Sequence, residues 1–360
     1  MKKKNLLFTV ALVSALNFVN AQAPKYSDEF LQIGVSARAL AMSNSVVSSV
    51  DDVTAGYWNP AGLLGVTSNM EFSLMHAEYF AGIAKYEYGA LSYRIDSNSV
   101  FGFTAIRFGV DDIPNTTQLI DANGNVDYNN VTSFSAADYG FLFSYARKIG
   151  IPGLDLGANV KIVRRIVGNF AGAWGFGFDV GAKYQYKEWL FGAVARDVTS
   201  TFNAWSYNLS PDMQQVFQET GNAIPTDNLE VTLPRLLLGV GRKFKFFHEK
   251  VSLLAELGTD LTFDGKRNTL ISSNPVSVDP HVGFEIGYKG IIFLRGGLGN
   301  VQTSTDVAGA TLTTVQPDFG VGIKIKSFAL DYALTNIGNA SVALYSNIFS
   351  IKFDINKRTQ

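Results

Sequence analysis

Cysteine is absent from all 360 residues. That excludes disulfides, thiol catalysis and Cys-ligated metal sites, and also a lipoprotein anchor, which needs a cysteine at its cleavage point. Charge is scarce as well: 17% of residues are charged, against about a quarter in soluble domains. The 30 Lys and Arg nearly balance the 31 Asp and Glu, so no basic surplus recommends nucleic acid as a partner. Histidine occurs three times, as His76, His248 and His281, and no two have metal-ligand spacing. His281 falls on a polar strand face, where a lumen position is expected. No serine elbow, P-loop or dinucleotide fingerprint stands in its strand–helix context. The composition therefore describes a non-enzyme without cofactors. Apart from a short run near the start, no stretch of about 18 apolar residues occurs, so spanning helices are excluded.

That short run belongs to an export signal. Lys2 to Lys4 supply the positive region, Leu6 to Leu16 the apolar one, and Ala21 and Ala23 the small residues of a cleavage site. Cleavage after Ala23 would leave Pro24 first, so residues 1–21 are taken as the signal peptide. An exported chain with no spanning helix can cross a membrane only as a closed barrel.

What the chain has in quantity is 27 Phe, 15 Tyr, 34 Gly and a period of two. Leu154, Leu156, Ala158, Val160 and Ile162 share a face, against Asp155, Gly157, Asn159 and Lys161. Trp174, Phe176, Phe178, Val180, Ala182, Tyr184 and Tyr186 do the same against Gly175, Gly177, Asp179, Gly181, Lys183 and Gln185. The runs reach about 9–11 residues, enough for a tilted membrane strand. Their polar faces suit a wet lumen, and Gly-x-Gly at this spacing means small lumen-facing residues. Tyr86, Tyr145, Tyr184, Tyr186, Trp189, Tyr288 and Tyr345 sit where an interfacial girdle would. About 14 strands result, starting near Met70, Tyr86, Val100, Tyr139, Leu154, Gly172, Trp189, Arg235, Val251, His281, Ile291, Asp318, Phe328 and Asn347. Links alternate between tight turns and the long stretches Val110 to Ala136, Val198 to Pro234, Phe263 to Val278 and Asn300 to Gln316. Outer-membrane barrels keep short turns periplasmic and long loops outside, which puts the C-terminus in the periplasm.

The fold expected is all-β and transmembrane: an antiparallel outer-membrane barrel of about 14 strands over 70–360, with a partly helical plug at 22–69. Such a barrel is too wide to fill with its own side chains, and Gly34 to Val50 has helical spacing without alternation. Within the plug, Arg38, Asp52 and Asn59 read either as a gate or docking element, or as a buried ion pair with turn hydrogen bonds. Pro60 after Asn59 marks a turn. Asp121, Asn123, Asn125 and Asp127 alternate like calcium ligands but lack the glycine and closing acid of that loop, so an Asn-Gly turn is expected. Lys243, Lys245, Phe246, Phe247, His248 and Lys250 form a basic aromatic turn suited to interfacial anchoring.

The opening stretch resembles a known family. Phe30 to Gly34, Ala37 to Met42, Asp51-Asp52 and Tyr57-Trp58-Asn59-Pro60-Ala61-Gly62-Leu63 occur in the order seen at the start of the PorV/PorQ outer-membrane proteins of Bacteroidetes. The wider FadL-like superfamily shares the Asn-Pro-Ala-Gly-Leu stretch. The resemblance implies a 14-stranded barrel with an N-terminal hatch whose motif residues here are Arg38, Asp52, Trp58, Asn59, Pro60 and Gly62. It further implies an accessory or shuttle barrel of type IX secretion, partnered by the translocon barrel and by cargo with C-terminal sorting domains. This chain departs from the pattern at Ser43-Asn44-Ser45, where glycines are usual, and it does not end on an aromatic; both point to a paralogue of PorV. The alternative is a FadL-like channel for hydrophobic small molecules. Outer-membrane lipid is a partner in either case. Phe202, Trp205, Tyr207 and Phe217 in the long Val198 to Pro234 stretch are the candidate partner-binding residues, with a lid over the barrel mouth as the competing role.

Overall fold

In the computed structural model the described residues are 27–120, 124–305, 310–335 and 346–356. The expected signal peptide, Tyr345, and Asp121 and Asn123 of the calcium-like run lie outside them. Strands β1 (Met70–Tyr79), β2 (Ala84–Asp96), β3 (Ser99–Asn115), β4 (Thr132–Lys148), β5 (Leu154–Val167), β6 (Ala171–Tyr186), β7 (Trp189–Arg196), β8 (Thr201–Tyr207), β9 (Asn228–Thr232), β10 (Arg235–Phe246), β11 (Val251–Thr262), β12 (Ser277–Tyr288), β13 (Ile292–Thr305), β14 (Thr311–Ile325), β15 (Phe328–Thr335) and β16 (Ser346–Ile355) form one antiparallel sheet. They close a barrel of fourteen wall strands, in which β7 with β8, and β9 with β10, each make one. β1 pairs with β16 from Met70↔Ile355 to Ala77↔Ile348, and β5 with β6, so the ring has no open seam there. Closure satisfies every wall strand's backbone from its neighbours, which the apolar core of a bilayer demands. No helix among the described residues is long and apolar enough to cross a membrane.

The alternation decides which side chains meet lipid. Phe176, Val180, Val282, Phe284, Phe319, Val321, Phe349 and Phe353 are all at least 40% exposed although large and apolar, because they point away from the barrel. Tyr145, Tyr184, Tyr186, Trp189 and Tyr288 point outward at the short-turn end, as a girdle requires. Tyr86 does not belong to it. It lies wholly buried on the inner face, with its hydroxyl donating to the Phe30 carbonyl at 3.1 Å; the alternation there runs Ala84, Tyr86, Tyr88 inward.

The long links are partly protruding strand. β3 and β4 leave only 116–131 between them, and β13 and β14 only 306–310. The stretch Val198 to Pro234 is likewise no open loop. It contains β8, helix α3 (Pro211–Glu219, capped by the Ser210 hydroxyl) and β9. β7 pairs with one half of β6 and β8 with the other, from Phe176↔Phe202 to Ala171↔Tyr207. The break between them, with Asp197 and Ser200 at positive φ, is pinned by the Lys161 ammonium between Asp179 and Asp197.

A barrel of this construction should be β-rich by circular dichroism and should run faster unheated than boiled on a denaturing gel. A helix-dominated spectrum would refute it.

Candidate functional site

The lumen is occupied by the N-terminal segment. Among the described residues its helices are α1 (Ala37–Ala41) and α2 (Ala55–Trp58), with 3-10 turns at Glu29–Leu31 and Pro60–Gly65. The helix expected over Gly34 to Val50 shrinks to five residues, because the rest of that stretch is fixed by the wall. α1 packs on β13 to β16, while Pro60–Gly65 packs on β3 to β6, so the segment bridges facing walls. Between Val35 and Leu64 nearly every apolar side chain is buried, and the main hydrophobic core of the molecule centres on this segment.

Wall glycines make the seat. A methyl at Gly192 would lie 2.3 Å from the Val47 carbonyl oxygen, and one at Gly157 would lie 2.4 Å from the Ala61 nitrogen. Side chains cannot fit where backbone meets backbone. Much of the glycine-rich inner face is therefore the bed of the plug and not the wet lumen its polarity suggested.

Such close packing leaves plug N–H and C=O groups without water, and unsatisfied buried groups cost about 1–3 kcal/mol each. The wall supplies their partners. Glu71 accepts from Val53 N–H at 2.6 Å, and Glu256 from Ser48 N–H at 2.7 Å. The Ser350 hydroxyl accepts from Ala37 N–H at 3.1 Å. In the opposite sense, Lys183 donates to the Val50 carbonyl, Asn159 to Gly56 at 2.9 Å, and Arg196 to Tyr57 at 2.8 Å. The Arg196 guanidinium also lies 4.5 Å from the Tyr57 ring centroid.

All six motif residues fall within this plug. Arg38 and Asp52 do not pair with each other. Arg38 donates to Glu285 at 2.9 Å, and Glu285 also accepts from Arg295 at 2.6 Å, which in turn meets Asp331 at 2.6 Å. Asp52 accepts from Lys352 at 2.8 Å and from Thr54. The expected ion pair is thus replaced by two, each joining plug to wall. Asn59 donates to the carbonyls of Val47 and Ala182, both at 3.0 Å, and accepts from Ala61 N–H, the turn bond expected ahead of Pro60. Trp58 donates to the Val35 carbonyl. A methyl at Gly62 would lie 2.5 Å from the Val50 carbonyl oxygen.

The wall contributes residues that periodicity could not single out: Glu71, Glu256, Glu285, Arg196 and Lys352 look like any inward polar position. His281, which the alternation did place in the lumen, meets the Ser45 hydroxyl at 2.7 Å and Asp260 at 3.5 Å. Phe202 points outward on β8, while Trp205 donates to Glu230 at 2.7 Å beneath the Arg165 guanidinium and stacks on Tyr207. Phe217 lies half-buried on α3.

Two cavities flank the plug. At the long-link end lies one of about 600 Å³. Its plug and β1–β3 side sets Phe30, Ile33, Leu40, Phe80 and Phe108 among the polar Glu29, Gln32, Ser43 and Asn44, and its other side is polar, with Arg235, Asp260, Arg267, Asp279, His281 and Asp318 among its residues. At the short-turn end lies one of about 350 Å³, lined by Arg38, Asp51, Asp52, Lys243, Arg295 and Lys352.

Burial would raise the Asp52 carboxyl, but Lys352 and then Arg38, with hydrogen bonds from Lys352 and Thr54, hold it well below the usual carboxylate range. Asp28 goes the other way: burial pushes it up, against hydrogen bonds from Asn203 and Thr232. A depressed folded value means that Asp52 stabilises the seated plug above its unfolded value of about 3.9, and this is lost as pH falls through the folded value.

No family model matches the chain, and no curated protein matches it in sequence. Solved structures do resemble it in fold. The Ralstonia pickettii toluene transporter TbuX is 15% identical, with a TM-score of 0.55 over 90% of this chain and 99% of its own. The monoaromatic hydrocarbon channel CymD is 11% identical, with a TM-score of 0.56 over 90% and 98%. A Pseudomonas aeruginosa FadL homologue is 12% identical, with a TM-score of 0.50 over 89% and 98%. At such identities the likeness is one of fold.

Two tests follow from the seat. Since the chain has no cysteine, Val47→Cys introduces a single thiol packed against Val194 and Leu237, which should resist a membrane-impermeant maleimide. Adding Arg38→Ala, which leaves Glu285 with Arg295 alone and costs about 1–3 kcal/mol, should speed labelling several-fold; unchanged labelling would show that the plug does not depend on this pair. In planar bilayers, conductance should stay low from pH 5 to 7 and rise below about pH 4. Asp52→Asn should remove that acid step, and its persistence would assign it to another group.

Proposed function

We propose that this chain is an outer-membrane channel for small, largely apolar molecules, with its long links outside the cell and its C-terminus in the periplasm. The carrying observation is the roughly 600 Å³ vestibule above the plug, in which Phe30, Ile33, Leu40, Phe80 and Phe108 stand among hydrogen-bonding side chains. Ligand sites are typically of this size and mixed character. The fold neighbours that include a toluene transporter and a monoaromatic hydrocarbon channel support the same reading by analogy. A molecule that displaces water from Phe30, Leu40 and Phe108 gains about 25 cal/mol per Å² of apolar surface removed from water. It would then lie directly on the plug, which must shift for passage.

A second reading has its own support. The plug is seated backbone-on-backbone and ion-paired to the wall, which suits a barrel that works from its rim. The opening stretch around Arg38, Asp52 and Trp58-Asn59-Pro60-Ala61-Gly62 resembles the accessory barrels of type IX secretion. In that case the partners are the translocon barrel and secreted cargo with C-terminal sorting domains. They would dock on the β8–α3–β9 excursion, where Phe202 and Phe217 offer apolar contact.

Uptake separates the two. Cells lacking other hydrocarbon channels should take up radiolabelled toluene several-fold faster when they carry this chain, and Phe108→Asp should remove most of the gain. Equal uptake with and without the protein, together with a large barrel and secreted proteins co-purifying from native membranes, would transfer the assignment to the second reading.

A further inference from the structure

The outward face of β6, β7 and β10 carries a feature that neither role uses. Arg242 and Trp189 are directly opposed across the β7–β10 pair. The guanidinium lies 4.9 Å from the Trp189 ring centroid and 4.8 Å from that of Phe244. By strand alternation Arg242 points outward with Leu238 and Val240. It also lies nearer the middle of the wall than Phe244 and Phe246, which follow it toward the short-turn end. An outward cation inside the aromatic girdle is held among rings instead of water, and near the membrane interface such a charge needs an anion or must reach for the headgroups. Among the described residues Arg242 has no carboxylate within ion-pair distance, whereas nearby Lys243 and Lys245 are paired to Asp51 and Glu249.

The wall beside it is shaped as well as charged. Trp189 pairs in register with Tyr186, whose ring carries the Lys187 ammonium at 5.5 Å. One step toward the middle of the barrel, Tyr184 and Phe191 stack at 6.3 Å. Beyond them the outward residues turn small: Ala182 is opposite Ala193, and Val180 opposite Ala195. Past the height of Val240, Phe191 and Tyr184 the alanines fall back between Leu238 and Leu156, a shallow trough that begins one step inside Arg242 and leads toward the barrel's midline.

We propose that this patch is a binding site for one anionic phospholipid, its phosphate on Arg242 with Lys187 beside it, and an acyl chain along the Ala182–Ala193–Ala195 trough. The charge is complementary, and guanidinium suits phosphate because its planar fork donates two parallel hydrogen bonds while its face stays on the rings. The position fits too: the patch lies at the border between the apolar band and the short turns, which is headgroup height. The site depends on the barrel spanning a bilayer and not on what passes through it.

Native mass spectrometry of the full barrel released from detergent, titrated with phosphatidylglycerol, tests the site. One tightly retained lipid is expected. Arg242→Gln should weaken it about tenfold, the loss of one charge-assisted contact, and Arg242→Lys by less. Ala193→Trp, which fills the trough and leaves the charge, should also weaken it. Lys326→Gln, on a different short turn, should leave it unchanged, and all four variants should remain heat-modifiable on gels. Unaltered binding by Arg242→Gln would overturn the proposal, as would an equal loss in Lys326→Gln, which would mean unspecific attraction to a basic rim. Displacement of the lipid by a soluble polyglutamate peptide would overturn it in favour of a protein-docking surface.

Discussion

A ring of fourteen strands encloses more space than its own side chains can fill, and the rest of the molecule answers that constraint. The volume is taken by chain from outside the sheet, and chain brings peptide groups that water no longer reaches. Hence the wall carries glutamates aimed at plug N–H groups and a lysine, an asparagine and an arginine aimed at plug carbonyls. Hence also the glycines at 157 and 192, where the two backbones touch. The plug's scant helix has the same origin. A segment whose polar groups are satisfied by the surrounding wall has less need to satisfy them internally.

The charges obey this logic. Arg38 and Asp52 each meet a barrel residue, so neither pair can form until plug and wall are together. A salt bridge within the plug would have stabilised the plug alone. Ion pairs that cross the boundary stabilise the assembly, and each buried charge left without its partner would penalise an unseated state.

Much of this was legible in the sequence because period two is a strong signal over strands this long. The fourteen wall segments, the outward face and the tight turns were read with most starts within two residues of those observed; β4, β12 and β14 begin earlier than read, at Thr132, Ser277 and Thr311 instead of Tyr139, His281 and Asp318. The misses share a cause. Alternation says which residues face inward but not what they face, so glycine and asparagine opposite a plug look the same as glycine and asparagine opposite water. Tyr86 was assigned to the girdle because it lies near a strand end; in β2 the face carrying Ala84, Tyr86 and Tyr88 is the buried one, so its aromatics meet the plug and not lipid. The stretch from Val198 to Pro234 looked like a loop because Asp197–Ser200 interrupts the pattern, and only the pairing of β6 with both β7 and β8 reveals a single wall strand with a step in it. At the site, Arg38, Asp52 and Asn59 were recognisable as anchors. Their partners Glu285, Lys352 and Ala182 lie 247, 300 and 123 positions away, a separation over which one sequence carries no pairing information.

The β1–β16 pairing sets the order in which the molecule can be made. β16 is the last strand among the described residues, and it carries both Ser350, which holds the start of α1, and Lys352, which holds Asp52. Completing the ring and gripping the plug are therefore one event. The N-terminal segment precedes every described wall strand in the chain, yet two of its partners lie on β16. Contacts of such sequence separation form slowly. A plug that missed this moment would face a finished wall, with its buried acids and lysines already turned inward and no seam through which to enter.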